Sequence, residues 1–217
     1  MSHAGDDDDT DARILEQLKT LRRMLREHRA ATGTPFRFPG KLAPELRRPE
    51  FEGARVFSNR QHLVTALISG GTGAEIGVEF GHFSRVLLER LDPRALHLFE
   101  LNFARVHADV TSDPRVTCWE GDSSSNLAQL PDGHFDWIYI DGDHSYQGCL
   151  KDAETAERKL KPGGIAVFND YTHWSPPDAA RLGVMPVVNE LINSGRWRLR
   201  GIALAWHGFH DVALERI

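Results

Sequence analysis

The residues best suited to chemistry are Asp141, Asp143 and His144, in the run Ile140-Asp141-Gly142-Asp143-His144-Ser145-Tyr146, and Asn169-Asp170 further on. Each run follows a short apolar segment, Phe135 to Ile140 and Ile165 to Phe168, that reads as a buried strand. A right-handed crossover between consecutive parallel strands brings their carboxyl ends together. Asp141, Asn169 and Asp170 would then offer two carboxylates and an amide oxygen, hard ligands suited to Mg²⁺, with positions left for water or substrate oxygens. His144 is the first candidate for a general base, since an imidazole changes charge near neutral pH; Asp143 is the second, or orients His144. The plainer reading is that these polar residues cap helices and tie loops.

A second group lies earlier, in Ala74-Glu75-Ile76-Gly77-Val78-Glu79-Phe80-Gly81. A short apolar strand ending in glycines and turning directly into a helix, Phe83 to Leu91, points bare backbone and helix N-terminal N–H groups at one spot. The spacing is G-x-x-x-G rather than G-x-G-x-x-G, and Glu79 would repel a phosphate. The guest that fits best carries none. The next strand, Ala95 to Phe99, ends in Glu100, whose carboxylate can accept hydrogen bonds from a ribose diol. A third strand, Val116 to Trp119, runs into Gly121-Asp122-Ser123, where Asp122 caps the following turn or meets the ligand.

Positioning these strand ends requires the elements between them. From Ala74 onward strands and helices alternate, which predicts a parallel sheet covered by helices on both faces. The helix after Ser145 places Tyr146, Cys149, Leu150, Ala153, Ala156 and Leu160 on one face, and Lys161-Pro162-Gly163-Gly164 stops it. Beyond Tyr171 a loop from His173 to Pro177, with Trp174, lies on the ligand side; Pro186 opens another helix, and Trp197 to Ala205 and Phe209 to Arg216 read as strands. His173, His207 and His210 are weaker candidates for chemistry.

The first seventy residues differ in character. Residues 1–9 end in four consecutive aspartates and are expected to be a disordered acidic tail. Ile14, Leu18, Leu21 and Leu25 recur at helical spacing, giving an amphipathic helix over Thr10 to Ala30 whose stripe docks on the main domain or on a second copy of the chain. The charge order, acidic then basic, complements the helix dipole. A Pro-rich connector from Thr32 to Phe51 contains Phe36 and Phe38, and Ser58 with Gln61 suggests a capping box for the next helix. Residues 10–72 thus form an extension and 73–217 the main domain.

The chain has 217 residues and a net charge of −5, so a nucleic-acid binder, which needs clustered Lys and Arg, is disfavoured and a small-molecule partner favoured. Cys118 and Cys149 lack metal-binding spacing and read as buried thiols of a reducing compartment. No apolar run approaches a membrane span and the N-terminus is acidic, so the expected location is cytoplasmic.

Taken together, Glu75-x-Gly77-x-x-x-Gly81, Ile-Asp-Gly-Asp-His-Ser-Tyr, Lys-Pro-Gly-Gly and Asn-Asp-Tyr resemble class I S-adenosylmethionine-dependent methyltransferases, in particular the metal-dependent O-methyltransferases of sugars and natural products. The resemblance covers Ala74 to Asp170 well and the first seventy residues hardly at all. It implies a Rossmann-like, doubly wound, mostly parallel seven-stranded α/β sheet with an antiparallel C-terminal strand and an N-terminal helical extension. It implies S-adenosylmethionine at Glu75, Gly77, Glu79, Gly81, Ser84, Glu100, Asp122, Ser123 and Asp141, with Asp122 reaching the adenine amino group. Mg²⁺ is implied at Asp141, Asn169 and Asp170. The activity implied is methyl transfer to a hydroxyl of a small molecule, a sugar or secondary metabolite; a homodimer or higher homo-oligomer is the expectation only where the stripe of the first helix docks on a second copy. Two alternatives stand beside it: a methyltransferase-like protein that binds a nucleoside or partner without turnover, and a nicotinamide-dependent oxidoreductase.

Overall fold

The computed structural model describes residues 4–37, 40–176 and 180–217, apart from the side chains of residues 4–9 and 48. Phe38 and Pro177, named above, lie outside the described residues. Two compact units emerge, Met1–Pro39 and Gly40–Ile217.

In the first unit α1 runs from Ala4 to Thr32, so its backbone takes in the aspartate run expected in a tail. Ile14, Leu18, Leu21 and Met24 on α1 are exposed. His28 meets the Phe36 ring edge-on, at 5.4 Å between centroids.

The second unit contains, in chain order, α2 (Arg48–Phe51), β1 (Arg55–Phe57), α3 (Arg60–Leu67), β2 (Thr72–Ile76), α4 (His82–Leu91), β3 (Ala95–Glu100) and α5 (Ala108–Thr111). After these come β4 (Val116–Glu120), α6 (Ser123–Ala128), β5 (Phe135–Ile140), α7 (Tyr146–Lys159), β6 (Leu160–Phe168), α8 (Val184–Asn193), β7 (Trp197–Ala203) and β8 (Asp211–Arg216). The strands form one sheet ordered β1-β7-β8-β6-β5-β2-β3-β4. Strand β8 is antiparallel to both β6 and β7; the other pairings are parallel.

Strand period explains why helices cover both faces. On β5, Ile138 and Ile140 pack with Cys149, Ala153 and Ala156 of α7 and with Val187, Val188 and Leu191 of α8. The alternate residues Trp137 and Tyr139 pack with Leu63 and Val64 of α3 and Phe83, Leu87 and Leu91 of α4. Both sets are buried, as a central parallel strand requires.

Several expectations change. The sheet has eight strands rather than seven, because β1 pairs with β7 in register Arg55↔Gly201 to Phe57↔Ala203. Three residues with one buried side chain give too short a pattern to read. Since β1 and α3 build on the sheet, they belong with the larger unit and not with the extension. The cap of α3 is Asn59, whose Oδ1 accepts from the His62 N–H at 2.8 Å, while Ser58 Oγ pairs with His62 Nδ1 at 2.7 Å. Strand β6 begins at Leu160 and carries Lys161-Pro162-Gly163-Gly164 within it, with a register shift opposite Phe135 and Trp137. Cys118 is exposed because β4 is the edge strand; Cys149 is buried as expected.

Candidate active site

The carboxyl ends of β2, β3, β4 and β5 surround a cavity of about 570 Å³. Gly77, Glu79, Glu100, Asp122, Ser123, Asp141 and Asp143 line it. Ile76, Phe99, Leu101, Asn102, Arg105, Lys151 and Asp152 complete the wall together with Gly121, Gly142 and Gly148. Six carboxylates against two basic side chains make the lining acidic. Such a field favours a cationic or neutral guest over a phosphate.

The turn after β2 sits tight on its neighbour. Gly77 has φ 80°, and a Cβ there would lie 2.0 Å from the Asp141 carbonyl oxygen, so only glycine lets these strand ends approach. Gly81 caps α4 with φ 82°. Glu79, also left-handed at φ 53°, is exposed and pairs with Arg105 at 3.6 Å.

Glu100 is held by backbone N–H groups from two loops. Its Oε2 accepts from the N–H groups of Val78 (2.8 Å) and Glu79 (3.1 Å), and its Oε1 from those of Leu101 (2.8 Å) and Asn102 (3.4 Å). Burial alone would raise its pKa, but these backbone donors outweigh burial and hold the carboxyl below its ordinary range. A fixed, ionised acceptor results; four N–H groups take up its lone-pair sites, and the 3.4 Å contact from Asn102 to Oε1 is the weakest, the one that a hydroxyl donor would displace.

At the other end of the cavity Asp122 is the N-cap of α6: its Oδ1 accepts from Ser125 N–H at 2.8 Å and Ser125 Oγ at 2.6 Å. Its Oδ2 meets Lys151 Nζ at 2.8 Å, and these contacts hold the carboxyl at about 2. The capping reading of Asp122 therefore holds, at the cavity wall. Ser123 Oγ donates to Asp152 Oδ1 at 2.6 Å, as Ser124 Oγ does at 3.2 Å. Asp152 was missed, although a carboxylate between Cys149, Ala153 and Ala156 on the apolar face of α7 is a legible signal.

Glu75 and Ser84 do not reach the cavity lining. Both are buried on the opposite face of the sheet, where Ser84 Oγ donates to Glu75 Oε2 at 2.5 Å. Beside them is a buried polar group that the sequence reading did not find. Tyr139 Oη donates to Asp211 Oδ2 at 2.6 Å; Arg60 Nη1 and Asn169 Nδ2 each donate to Tyr139 Oη at 3.4 Å, and Asn169 Nδ2 also approaches Asp211 Oδ1 at 3.4 Å. Burial lifts the Asp211 carboxyl to about 6. An aspartate opening the apolar run Val212-Ala213-Leu214 marked this position.

The residues that the sequence offers as metal ligands and base meet at the ends of β5 and β6. His144 Nε2 lies 3.5 Å from Asp141 Oδ1 and 3.7 Å from Asp170 Oδ2, and it is buried with no hydrogen-bond partner among the described residues. Asp170 adopts a left-handed backbone, φ 56°. Burial first, then the Asp170 charge, raises the Asp141 carboxyl well above the carboxylate range. Asn169, buried, gives its amide N–H to Tyr139 and Asp211, so the amide is anchored in that network. Among the described residues no group of three His, Cys, Asp or Glu has the arrangement to hold a metal ion. Asp141 and Asp170 nevertheless converge as hard oxygen donors, and an amide anchored through its nitrogen leaves its oxygen as the donor. Asp143 is committed locally, accepting from Ser145 N–H at 2.8 Å and Ser145 Oγ at 2.9 Å. His173 contacts Arg181, and His210 Nδ1 accepts from the Ala205 N–H at 3.0 Å, so neither joins the cluster.

Residues 74–171 match the family model described as a methyltransferase domain. A search of curated proteins finds an uncharacterized protein of Acanthamoeba polyphaga mimivirus, 40% identical over 68 residues, which are 30% of this chain and 28% of that protein. The matched stretch is thus well under a third of that relative's length. Among solved structures, an O-methyltransferase from Bacillus cereus in complex with SAH aligns with TM-score 0.58 at 16% identity, covering 90% of each chain. The O-methyltransferase TomG from Streptomyces achromogenes, in complex with SAM, aligns with TM-score 0.55 at 19% identity, covering 72% of this chain and 77% of that one. The family match covers less than half of the chain's 217 residues, and the two solved O-methyltransferases share the fold of the larger unit at 16% and 19% identity.

Proposed function

We propose that this chain transfers a methyl group from S-adenosylmethionine to a hydroxyl of a small molecule, a sugar or secondary metabolite. The observation that carries the reading is Glu100, an ionised carboxylate fixed by four backbone N–H donors at the wall of an acidic cavity. S-adenosylmethionine, when bound, supplies an electrophilic methyl on a sulfonium centre. Glu100 accepts the ribose hydroxyls, the Gly77 backbone leaves room for the methionine part, and Asp122 and Ser123 flank the adenine. The acidic wall suits a cationic sulfonium, which a dinucleotide pyrophosphate would not match.

His144 takes the proton of the acceptor hydroxyl at Nε2, a buried nitrogen with no hydrogen-bond partner among the described residues, and Asp141 and Asp170 stabilise the imidazolium so formed. Asp143 shapes the loop that carries His144. A divalent cation such as Mg²⁺, held by Asp141, Asp170 and the Asn169 amide oxygen, would supply Lewis acidity at the acceptor oxygen. Holding acceptor and methyl carbon in line is worth on the order of 7–11 kcal/mol, so the strand ends contribute as much by placement as by basicity.

The test is a calorimetric titration of the purified protein with S-adenosylmethionine, with Mg²⁺ and again with EDTA, using NADH as control. Micromolar binding of the sulfonium cofactor and none of NADH supports the reading. A folded protein that binds NADH, or neither ligand, overturns it.

A further inference from the structure

Helix α1 carries an apolar seam that its own unit does not bury. Ile14, Leu18, Leu21, Leu25 and His28 follow one another at alternating steps of four and three residues, the spacing of a coiled-coil seam. Ile14 is 53% exposed, Leu18 53% and Leu21 41%, and Leu15 and Met24 beside the seam are 54% and 57% exposed. An apolar stripe this contiguous marks an interaction surface. Helix propensity does not require it, since the exposed positions would carry polar residues as cheaply.

Charge selects the occupant. From Ala4 to Gln17 the helix sequence holds six carboxylates, Asp6 to Asp9, Asp11 and Glu16, against one arginine, Arg13. From Leu18 to Thr32 it holds five cations, Lys19, Arg22, Arg23, Arg26 and Arg29, against one carboxylate, Glu27. A helix with opposite charge in its two halves is complementary to itself when reversed. Parallel pairing of two copies would lay the acidic halves together and the basic halves together, and like-charge juxtaposition is strongly disfavoured. Antiparallel pairing sets each acidic half against a basic half, with the apolar seam between.

We infer that α1 is a self-association helix, and that its occupant is the α1 of a second copy of this chain, packed antiparallel. The seam fixes the register. Opposing Leu18 of one copy to Leu21 of the other places Ile14 against Leu25 and Asp11 against His28. Every apolar seam residue then meets an apolar partner, and the polar ends of the seam meet as an acid and an imidazole. The pair has two-fold symmetry, as most homodimers do.

The test uses the full chain and light scattering coupled to size-exclusion chromatography, at low and at high salt. The expected species is a dimer of twice the 24.4 kDa chain, loosening as salt rises because the flanking charges are screened. Leu18→Asp is expected to give a monomer of unchanged circular dichroism. A wild-type monomer at tens of micromolar overturns the proposal, as does a dimer that Leu18→Asp leaves intact, which would place the contact elsewhere. Orientation is read in a Cys118→Ser background from Asp11→Cys and His28→Cys chains under mild oxidation. Disulfide-linked dimers that form only when the two variants are mixed support the antiparallel register. Dimers that form in each variant alone indicate parallel pairing and overturn it.

Discussion

Ser84 Oγ donates to Glu75 Oε2 at 2.5 Å inside the core, one residue from the turn that bounds the cavity, with Glu75 only 1% exposed. Burial lifts the Glu75 carboxyl from 4.5 to about 8, against the opposing pull of Ser84 and Arg60. The proton it keeps in the fold has a thermodynamic consequence. Between pH 4.5 and about 8 the folded chain binds a proton that the unfolded chain releases, so this group's contribution is full below 4.5 and is lost as pH rises through 8. Glu75→Gln keeps the oxygen that accepts from Ser84 and removes the titration. The variant is expected to gain on the order of 2–4 kcal/mol relative to wild type between pH 5 and pH 8.5. Thermal unfolding of both proteins across that range measures the difference, and parallel curves would refute the assignment.

His97 produces a slope of the opposite sign. Its Nδ1 accepts from Trp119 Nε1 at 3.0 Å, which requires the neutral ring, and burial followed by the neighbouring His134 lowers it from 6.5 to about 4. The unfolded chain therefore takes up a proton that the fold refuses, so stability from this site is complete above pH 6.5 and is lost as pH falls through 4. His97→Phe is expected to flatten the acid limb of the stability curve while costing about 1 kcal/mol near pH 7 through the lost acceptor of the indole N–H. Urea unfolding at neutral and acidic pH separates the two effects.

How much of this was legible in the sequence follows from where each signal lives. Glycine turns, strand ends and a crossover helix are local patterns, so Gly77, Glu100, Asp122 and Asp141 are legible as candidates, and the four stand together on the cavity wall. Glu75 and Ser84 belonged to the same motif but fall on the other face, because strand residues alternate and Glu75 lies between Ala74 and Ile76, which face α7 and α8. Partners from distant elements were invisible. Asp211 meets Tyr139 only because β8 inserts antiparallel beside β6, and Arg60 arrives from α3, a helix that the sequence grouped with the extension. Lys151 and Asp152 sit in the second turn of α7: Lys151 follows its amphipathic pattern, whereas Asp152 interrupts the apolar face and is a legible signal. Strand β1, at three residues, carried too little pattern to register.

Glu100→Ala is expected to weaken S-adenosylmethionine binding about 10–100-fold, the range for losing charge-assisted hydrogen bonds to a buried ligand. The same change frees the N–H groups of Val78, Glu79, Leu101 and Asn102, so the melting temperature should be recorded alongside. A variant that stays folded and binds as tightly as wild type would remove Glu100 from the site.

His144 and Asp143 separate by their contacts, which makes the assignment of the base a matter of turnover rather than binding. Asp143 spends both carboxylate oxygens on Ser145, whereas His144 Nε2 is buried, has no hydrogen-bond partner among the described residues, and is flanked by Asp141 and Asp170. His144→Ala is expected to lower kcat for a hydroxylated acceptor by about 10²–10⁴ with cofactor affinity nearly unchanged, since it removes proton transfer and not a cofactor contact. Asp143→Ala should cost less in kcat and more in loop order, because Ser145 caps α7 and Asp143 holds Ser145. If the cation works at Asp141 and Asp170, EDTA should abolish the turnover of the wild type, and Mg²⁺ should restore it. Asp170→Asn should then raise the Mg²⁺ concentration needed for half activity, which a purely structural role for Asp170 would leave unmoved. Equal kcat losses for the two loop variants, with activity indifferent to EDTA, would point instead to a site that works by placement alone.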